Sequence, residues 1–214
     1  MTTAPPRFDE RFLRQLDELF RWRRDVRRFK TDPLDASVLD ELLHTSALAP
    51  SVGNSQPTRF VKVENPGRRD RVRAIFRAAN DEALAGYRGD RARLYASLKL
   101  AGLDAAPVQL AVFVDPNPEA GAGLGRRTMP ETVPYSAVLA IHTLWLAARA
   151  REIGLGWVSI VDPAAVHREL DVDPNWTFVA YLCLGFPEEE HLDPDLERSG
   201  WQARLDPRGH VLER

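Results

Sequence analysis

The densest group of side chains that could bind a charged ligand lies in residues 21–29, Arg-Trp-Arg-Arg-Asp-Val-Arg-Arg-Phe. Five arginines share these nine positions with two aromatic rings, one valine and one carboxylate. A guanidinium group donates hydrogen bonds in a planar fork that matches phosphate oxygens, and it also stacks on flat rings. The stretch therefore suits a phosphorylated aromatic ligand, although a solvated helix end or a nucleic-acid patch would have the same composition.

Asp25 is the unusual member of this stretch, because a carboxylate offsets part of the attraction that arginines exert on an anion. A site that only held an anion would not place an acid at its centre. If Asp25 is functional, we expect it to act chemically on the ligand and not merely to help hold it.

Two further polar features lie where a ligand could be recognised. The loop of residues 51–57, Ser-Val-Gly-Asn-Ser-Gln-Pro, stands between a predicted helix and a predicted strand and could aim amide groups at the polar edge of a ring. Ser159 is a hydroxyl among the large apolar residues of a predicted strand. An ordinary connecting turn and a hydrogen-bonded core serine are the simpler interpretations of these two features.

Composition argues against several classes of protein. The 214 residues are 44% hydrophobic, and the formal net charge of −2 argues against a globally basic nucleic-acid binder. Cys183 is the single cysteine, which excludes a disulfide within the chain and favours the reducing cytoplasm. The five histidines lack metal-binding spacing, so we expect no metal site. We also expect no signal peptide in the polar residues 1–14 and no membrane span in the apolar run 135–150.

Hydrophobic spacing predicts the elements that must position these residues. Helical periodicity covers residues 8–24 and 138–151, and Ser37 is the expected N-cap of another helix. Strand patterns cover residues 59–63, 107–114, 154–161 and 177–184. This order predicts an α+β fold in a single domain, residues 1–214, with a small, mostly antiparallel mixed sheet covered by helices.

Three segments are predicted to lie outside this core. Residues 68–103 are highly charged, which predicts two helices joined near residues 86–90. We expect residues 80–100 to form a mobile lid, with a solvent-facing helical pair as the alternative. Residues 188–214 form a polar C-terminal extension that either frays or wraps around a partner subunit. The glycine-rich residues 121–125 do not predict a dinucleotide site, because the spacing of the third glycine is wrong.

Four motifs of the chain resemble those of the nitroreductase-like flavoprotein superfamily, whose members form FMN-binding dimers with an α+β fold. They are Arg-Arg-Asp-Val-Arg-Arg-Phe (23–29), Ala-Pro-Ser-Val-Gly-Asn-Ser-Gln-Pro (49–57), Gly-Leu-Gly-Trp-Val-Ser-Ile (154–160) and Tyr-Leu-Cys-Leu-Gly-Phe-Pro (181–187).

Other segments resemble one branch of the superfamily more closely, the flavin destructases, which are the 5,6-dimethylbenzimidazole synthases of cobalamin lower-ligand synthesis. They include Leu-Lys-Leu-Ala-Gly-Leu (98–103), Thr-Met-Pro-Glu-Thr (128–132) and Leu-Glu-Arg-Ser-Gly-Trp-Gln (196–202). The carboxylate of Asp25 also supports this branch, because ordinary nitroreductases usually carry a serine there. Asn54 follows the general nitroreductase pattern instead.

The resemblance implies which residues bind and transform the flavin. The expected FMN-binding residues are Arg23, Arg24, Asp25, Val26, Arg27, Ser51, Asn54, Gln56, Leu100 and Arg198, and the expected catalytic residues are Asp25 and Ser159. The arginine cluster would hold the phosphate and the carbonyl edge of the ring, and Arg198 would add a phosphate contact from the tail. The loop of residues 51–56 would be supplied by the other subunit of a domain-swapped type of homodimer.

The implied reaction consumes the flavin as a substrate. Reduced FMN reacts with dioxygen, the ring system fragments, and the products include 5,6-dimethylbenzimidazole and erythrose 4-phosphate. Asp25 is the expected base, directly or through a water molecule, and Ser159 is expected to orient the flavin by hydrogen bonding. A separate flavin reductase is the expected source of reduced FMN. Two alternatives remain: an NAD(P)H-dependent nitroreductase or flavin reductase that retains its FMN, and a non-enzymatic FMN carrier.

Overall fold

The computed structural model describes residues 4–98 and 101–214 of the chain. The α-helices in these ranges are α1 (Glu10–Trp22), α2 (Ala36–Ser46), α3 (Pro66–Ala85), α4 (Gly89–Ser97), α5 (Gly102–Ala105), α6 (Thr132–Arg149), α7 (Pro163–Leu170) and α8 (Asp195–Arg198). The strands are β1 (Thr58–Lys62), β2 (Val108–Val114), β3 (Gly154–Val158) and β4 (Thr177–Gly185). Short 3-10 helices span Val52–Asn54, Ala120–Gly123 and Pro207–His210. Several helices and one small sheet confirm the predicted α+β class.

The four strands form one sheet in the order β1-β2-β4-β3, and each neighbouring pair runs antiparallel. The two central strands, β2 and β4, coincide with the most continuous apolar runs of the sequence, as is typical of strands buried on both faces. The strand β3 lies at one edge, with Leu155 opposite Leu184 of β4. An edge strand has one row of backbone groups free to bond another segment, and in this protein that segment carries Asp25.

Alternate residues of the central strands divide the core between the two faces of the sheet, as the two-residue period of a strand requires. Leu110 and Leu182 face the helices α2 and α6 in one hydrophobic cluster. Phe113 and Tyr181 belong to a second cluster, to which Val72 of α3 and Val166 of α7 also contribute. The sheet is therefore covered by helices on both faces, as the sequence predicts.

Three predicted boundaries are wrong. Asp35 caps α2 through its side chain, which accepts from the backbone N–H of Ser37, so Ser37 lies inside the helix. The helix α6 begins at Thr132, before the predicted residue 138, because Pro134 stands in the first turn, where a missing N–H costs no helical hydrogen bond. The strand β3 ends at Val158, so Ser159 is not part of a buried strand.

None of the helices in residues 4–98 and 101–214 is long and apolar enough to cross a membrane.

Candidate functional site

The segment after α1 runs along the free edge of β3 and places Asp25 there. A parallel bridge joins Asp25 to Leu155, and the N–H of Val26 donates to the carbonyl oxygen of Leu155 at 3.0 Å. The glycines of β3 permit this approach, because a Cβ atom on Gly154 would lie 2.8 Å from Val26 Cγ2, and one on Gly156 would collide with the Val26 carbonyl oxygen. The Gly-Leu-Gly motif therefore positions the arginine stretch against the sheet.

The carboxylate of Asp25 is fixed by one backbone group. Its Oδ1 atom accepts a hydrogen bond from the N–H of Trp157 at 2.8 Å, and its Oδ2 atom lies 4.0 Å from Nε of Arg27. Burial raises the pKa of Asp25 above its usual value, although the Trp157 hydrogen bond, Arg27 and Arg23 each lower it. The side chain is still 40% exposed, so the desolvation comes from its depth in a concave site that remains open to ligands.

Asp25 lies in a cavity of about 640 Å³, a volume that includes its open mouth. Oppositely charged side chains line it in equal number. The arginines are Arg24, Arg27, Arg28, Arg149 and Arg198, and the carboxylates are Asp25, Glu189, Glu190, Asp193 and Asp195. Most of these carboxylates come from the C-terminal extension. In the single chain, the extension therefore balances the positive charge of the arginines.

The ion pairs of the cavity connect the arginine stretch to the extension. Asp195 lies between two arginines, with Oδ2 3.3 Å from Nε of Arg27 and Oδ1 3.0 Å from a terminal nitrogen of Arg198. Arg24 donates from Nε to the carbonyl oxygen of Leu192 at 2.8 Å. A terminal nitrogen of Arg28 pairs with the side-chain carboxylate of Glu189. Arg27 and Arg198 thus share one carboxylate, that of Asp195.

Arg23 lies beside this cavity and contacts an aromatic ring. Its guanidinium carbon is 4.8 Å from the ring centroid of Trp145 on α6, which is cation–π contact distance. The indole N–H of Trp145 donates to the carbonyl oxygen of Arg24 at 3.0 Å. Burial lowers the pKa of Arg23, an effect that Asp25 opposes. Trp145 therefore fixes both the backbone and one side chain of the arginine stretch.

The loop of residues 51–56 is held in a strained conformation. Asn54 and Gln56 have positive φ angles of 53° and 47°, which few non-glycine residues adopt. The N–H of Gln56 donates to Oγ of Ser51 at 3.0 Å, and both Asn54 and Gln56 are exposed. Such strained, exposed residues are typical of ligand-contacting loops.

The glycine-rich residues 121–125 support this loop. A Cβ atom on Gly121 would lie 2.6 Å from the carbonyl oxygen of Gly53, and one on Gly53 would lie 2.8 Å from that of Leu124. The N–H of Val52 donates to Oγ of Ser136, near the start of α6, at 3.0 Å. The glycines therefore allow two loops to pack backbone to backbone, which accounts for a motif that is not a dinucleotide site.

The structure brings only part of the expected site together within one chain. Arg24, Asp25, Val26, Arg27 and Arg198 line the same cavity, whereas Ser51, Asn54 and Gln56 do not. The loop contacts α6 at Ser136 and the arginine stretch contacts it at Trp145. At 1.5 Å per residue, these contacts are about 13 Å apart along the helix.

One expected catalytic residue, Ser159, does not line this cavity. Ser159 follows the last residue of β3 and is exposed, so it is not a core serine. Leu100 lies outside the described residues.

Sequence reasoning missed several residues of the cavity. Trp145 and Arg149 lie on α6, for which the sequence predicts only a core helix. Asp195 lies in an extension in which Arg198 is the expected FMN-binding residue. The spacing of Asp195 and Arg198, three residues apart, is the one available signal, because it indicates an ion pair on a helical turn. Within residues 4–98 and 101–214, no group of three or more histidine, cysteine or acidic side chains could hold a metal ion.

Comparison with known proteins identifies the class. Residues 20–186 match the model of the nitroreductase family, and the chain belongs to that family. Within it, the chain is 56% identical over 199 residues to the 5,6-dimethylbenzimidazole synthase of Rhodospirillum rubrum, which covers 93% of this chain and 94% of that protein. A protein of the same name from Rhodobacter capsulatus is 51% identical over 198 residues, covering 92% of this chain and 96% of the relative. The resemblance to this branch is confirmed.

Solved structures confirm the fold. The crystal structure of an oxidised iodotyrosine deiodinase bound to FMN and 3-iodo-L-tyrosine superposes with a TM-score of 0.73 at 22% identity. The match covers 93% of this chain and 97% of the deiodinase chain. At this identity the likeness establishes the nitroreductase-like architecture, and the ligands are those of the deiodinase.

Proposed function

We propose that this protein converts reduced FMN and dioxygen to 5,6-dimethylbenzimidazole and erythrose 4-phosphate, for the lower ligand of cobalamin. The observation that carries this proposal is the carboxylate of Asp25, held by the N–H of Trp157 inside an arginine-lined cavity. A site that only retained a flavin would gain nothing from an acid at this position. The names of the relatives that are 51–56% identical support the same reaction.

Two arginines of the cavity supply donors for the phosphorylated end of FMN. Arg27 and Arg198 both lie on Asp195, so an incoming phosphate meets two guanidinium groups that are already positioned. Arg24 has fewer free donors, because it bonds carbonyl oxygens of Leu192 and Arg23. We assign the phosphate to Arg27 and Arg198, and the ring edge to Arg23, Arg24 and the backbone around Val26.

Asp25 is assigned the proton transfer near the first ribityl carbon. The Trp157 hydrogen bond holds Oδ1, which leaves Oδ2 as the atom that can accept a proton. Burial raises the pKa of Asp25, and a raised pKa brings a carboxylate closer to the range in which general bases operate. Ser159 is assigned a hydrogen bond to the flavin, since its exposed position after β3 leaves the hydroxyl accessible.

The complete site is proposed to form in a homodimer. On α6, Tyr135, Val138 and Leu139 are 55%, 42% and 45% exposed, an apolar surface on a helix whose opposite face is buried. This surface lies on α6, which contacts both the loop of residues 51–56 and the arginine stretch. A second copy packed there can bring its residues 51–56 to this chain's arginines. Ser51, Asn54 and Gln56 would then contact the flavin from the partner.

The remaining parts of the proposal concern access. The end of α3 from residue 80 onward and the helix α4, joined at residues 86–88, are assigned the lid that excludes water from the reacting flavin. Residues 188–214 are assigned to the C-terminal extension of a single FMN-binding domain. Reduced FMN would be supplied in the cytoplasm by a separate flavin reductase, with dioxygen as the second substrate and no metal.

The experiment that tests this function mixes the purified protein with reduced FMN in air and searches for 5,6-dimethylbenzimidazole by mass spectrometry. The alternative, an NAD(P)H-dependent nitroreductase or flavin reductase, predicts a yellow protein that oxidises NADH and leaves FMN intact. Formation of dimethylbenzimidazole without NADH supports the proposal, because a nitroreductase has no route to that product. Steady NADH oxidation without it supports the alternative.

A further inference from the structure

An aromatic cluster joins α4 to the C-terminal extension. The guanidinium carbon of Arg91 lies 3.7 Å from the ring centroid of Trp201, and a terminal nitrogen of Arg91 donates to the carbonyl oxygen of Trp201 at 3.0 Å. The rings of Tyr87 and Tyr95 lie 5.5 Å and 6.1 Å from the same indole. Three side chains of residues 87–95 therefore meet at Trp201, which is about a hundred residues further along the chain.

The helix α4 depends on contacts of this kind. None of its described residues is buried, so burial in the core does not hold it in place. The hydroxyl of Tyr95 donates to Oδ1 of Asn80 on α3 at 3.0 Å, and Arg91 bonds Trp201 in the extension. A helix fixed only at its surface can move as a unit, as a lid must.

The same extension reaches the arginine cavity only six residues before Trp201. Asp195 lies between Arg27 and Arg198, and the single turn of α8 holds this part of the chain. The N–H of Trp201 donates to the carbonyl oxygen of Leu196 at 2.8 Å, so the indole is anchored on that turn. Trp201 and the turn of α8 that contacts Arg27 and Arg198 are therefore parts of one hydrogen-bonded segment.

We propose that Trp201 is a positioning residue that ties the lid helix α4 to the phosphate-binding arginines. Occupation of Arg27 and Arg198 by a phosphate orders α8, and Trp201 then holds α4 through Arg91. The proposal rests on the function proposed above for the identity of the natural ligand. Its test uses oxidised FMN, which carries the phosphate but undergoes no fragmentation.

Hydrogen–deuterium exchange of the full-length protein, with and without oxidised FMN, measures whether FMN binding protects α4 through Trp201. We expect FMN to slow exchange in α4 and also around residues 25–28 in the wild-type protein. In Trp201→Ala and in Arg91→Ala, we expect loss of the protection in α4, while the protection around residues 25–28 remains. Trp201→Phe retains an aromatic face and is expected to keep part of the protection.

Arg93→Ala is the matched control, because Arg93 lies on the same helix, is 78% exposed and pairs with the exposed Asp90. It is expected to behave as the wild type does. The proposed role of Trp201 is contradicted if FMN protects α4 equally in Trp201→Ala, Arg91→Ala and the wild type, or fails to protect it in the wild type.

A kinetic measurement separates this proposal from the reaction itself. If the wild type forms dimethylbenzimidazole, Trp201→Ala and Arg91→Ala should lower the fraction of the consumed reduced FMN that becomes dimethylbenzimidazole, with the KM for reduced FMN unchanged. An unchanged product fraction in both variants contradicts the proposed role of Trp201. If the wild type forms no dimethylbenzimidazole, the proposed reaction fails. The exchange pattern with oxidised FMN still decides for or against the proposed role of Trp201.

Discussion

The Oδ1 atom of Asp25 lies 2.8 Å from the backbone nitrogen of Trp157, and this hydrogen bond fixes the carboxylate against the edge of β3. The contact depends on Gly156, because any larger residue at that position would collide with the carbonyl oxygen of Val26. Two separate motifs of the sequence therefore produce one geometric result, a carboxylate held at a defined position among arginines.

Replacement of Asp25 by asparagine separates chemistry from binding. Asp25→Asn preserves shape and keeps an oxygen for the Trp157 N–H, but it removes the group that accepts a proton. We expect dimethylbenzimidazole formation to fall by about two to four orders of magnitude, as is typical when a general base is removed. FMN affinity, measured by fluorescence titration, should be unchanged or slightly tighter, since a negative charge near the phosphate is lost. Near wild-type turnover would show that Asp25 is structural.

The same substitution has an expected effect on stability. Because burial raises the pKa of Asp25 in the folded protein, the folded state binds a proton more readily than the unfolded state, and ionisation of Asp25 costs stability as the pH rises. Asp25→Asn should therefore raise the unfolding temperature at neutral pH, and the gain should shrink as the pH approaches the ordinary value of 3.8.

Asp35 provides a control of opposite sign for this experiment. Hydrogen bonds from Ser37 lower the pKa of Asp35, so its ionised form adds stability above the unfolded-state value, and this stability is lost as the pH falls through the folded-state value. Asp35→Asn should lower the unfolding temperature at neutral pH. If Asp25→Asn also destabilises the protein at neutral pH, its carboxylate is better accommodated than the surrounding burial indicates.

Replacement of Arg198 tests the phosphate assignment. Arg198→Ala removes a charge-assisted hydrogen bond, which is worth about 1.5–3 kcal/mol, and should weaken FMN binding about ten- to hundred-fold. Binding of riboflavin, which lacks the phosphate, should not change in isothermal titration. Arg208→Ala is the control, because Arg208 lies in the same extension, pairs with Asp206 and is 90% exposed. Equal losses for FMN and riboflavin would contradict the assignment.

The dimer proposal is tested on the exposed face of α6. Leu139→Glu places a charge on an apolar surface and should convert the dimer to a monomer in light scattering at micromolar concentration, with loss of activity. Ala74→Glu, on the exposed side of α3, is the control and should leave the oligomeric state unchanged. An active monomer would show that residues 51–56 are not needed from a partner.

The sequence predicts the centre of the fold better than its boundaries. The continuous apolar runs at β2 and β4 predict buried strands, because such segments are stable only when they are removed from water. The cap of α2 and the start of α6 are less determined, since Asp35 and Ser37 are both good caps and Pro134 is compatible with either a break or a first turn.

The site is predictable only where its residues are neighbours in the chain. The stretch 21–29 places Arg24, Asp25 and Arg27 together by itself. Trp145 and Asp195 join them through tertiary contacts at separations of more than a hundred residues, which local patterns do not encode. The role of the glycines at 154 and 156 is likewise visible only once Val26 lies against them.

The most direct test of the account follows one carbon atom through the reaction. Reduced FMN isotopically labelled at the first ribityl carbon is mixed with the protein in air, and the products are analysed by mass spectrometry. We predict labelled 5,6-dimethylbenzimidazole, with the label at the carbon between the two nitrogens, and about a hundred-fold less or lower still with Asp25→Asn. Recovery of intact oxidised FMN as the sole labelled species, from protein that binds FMN and has its Asp25, would contradict the proposed function.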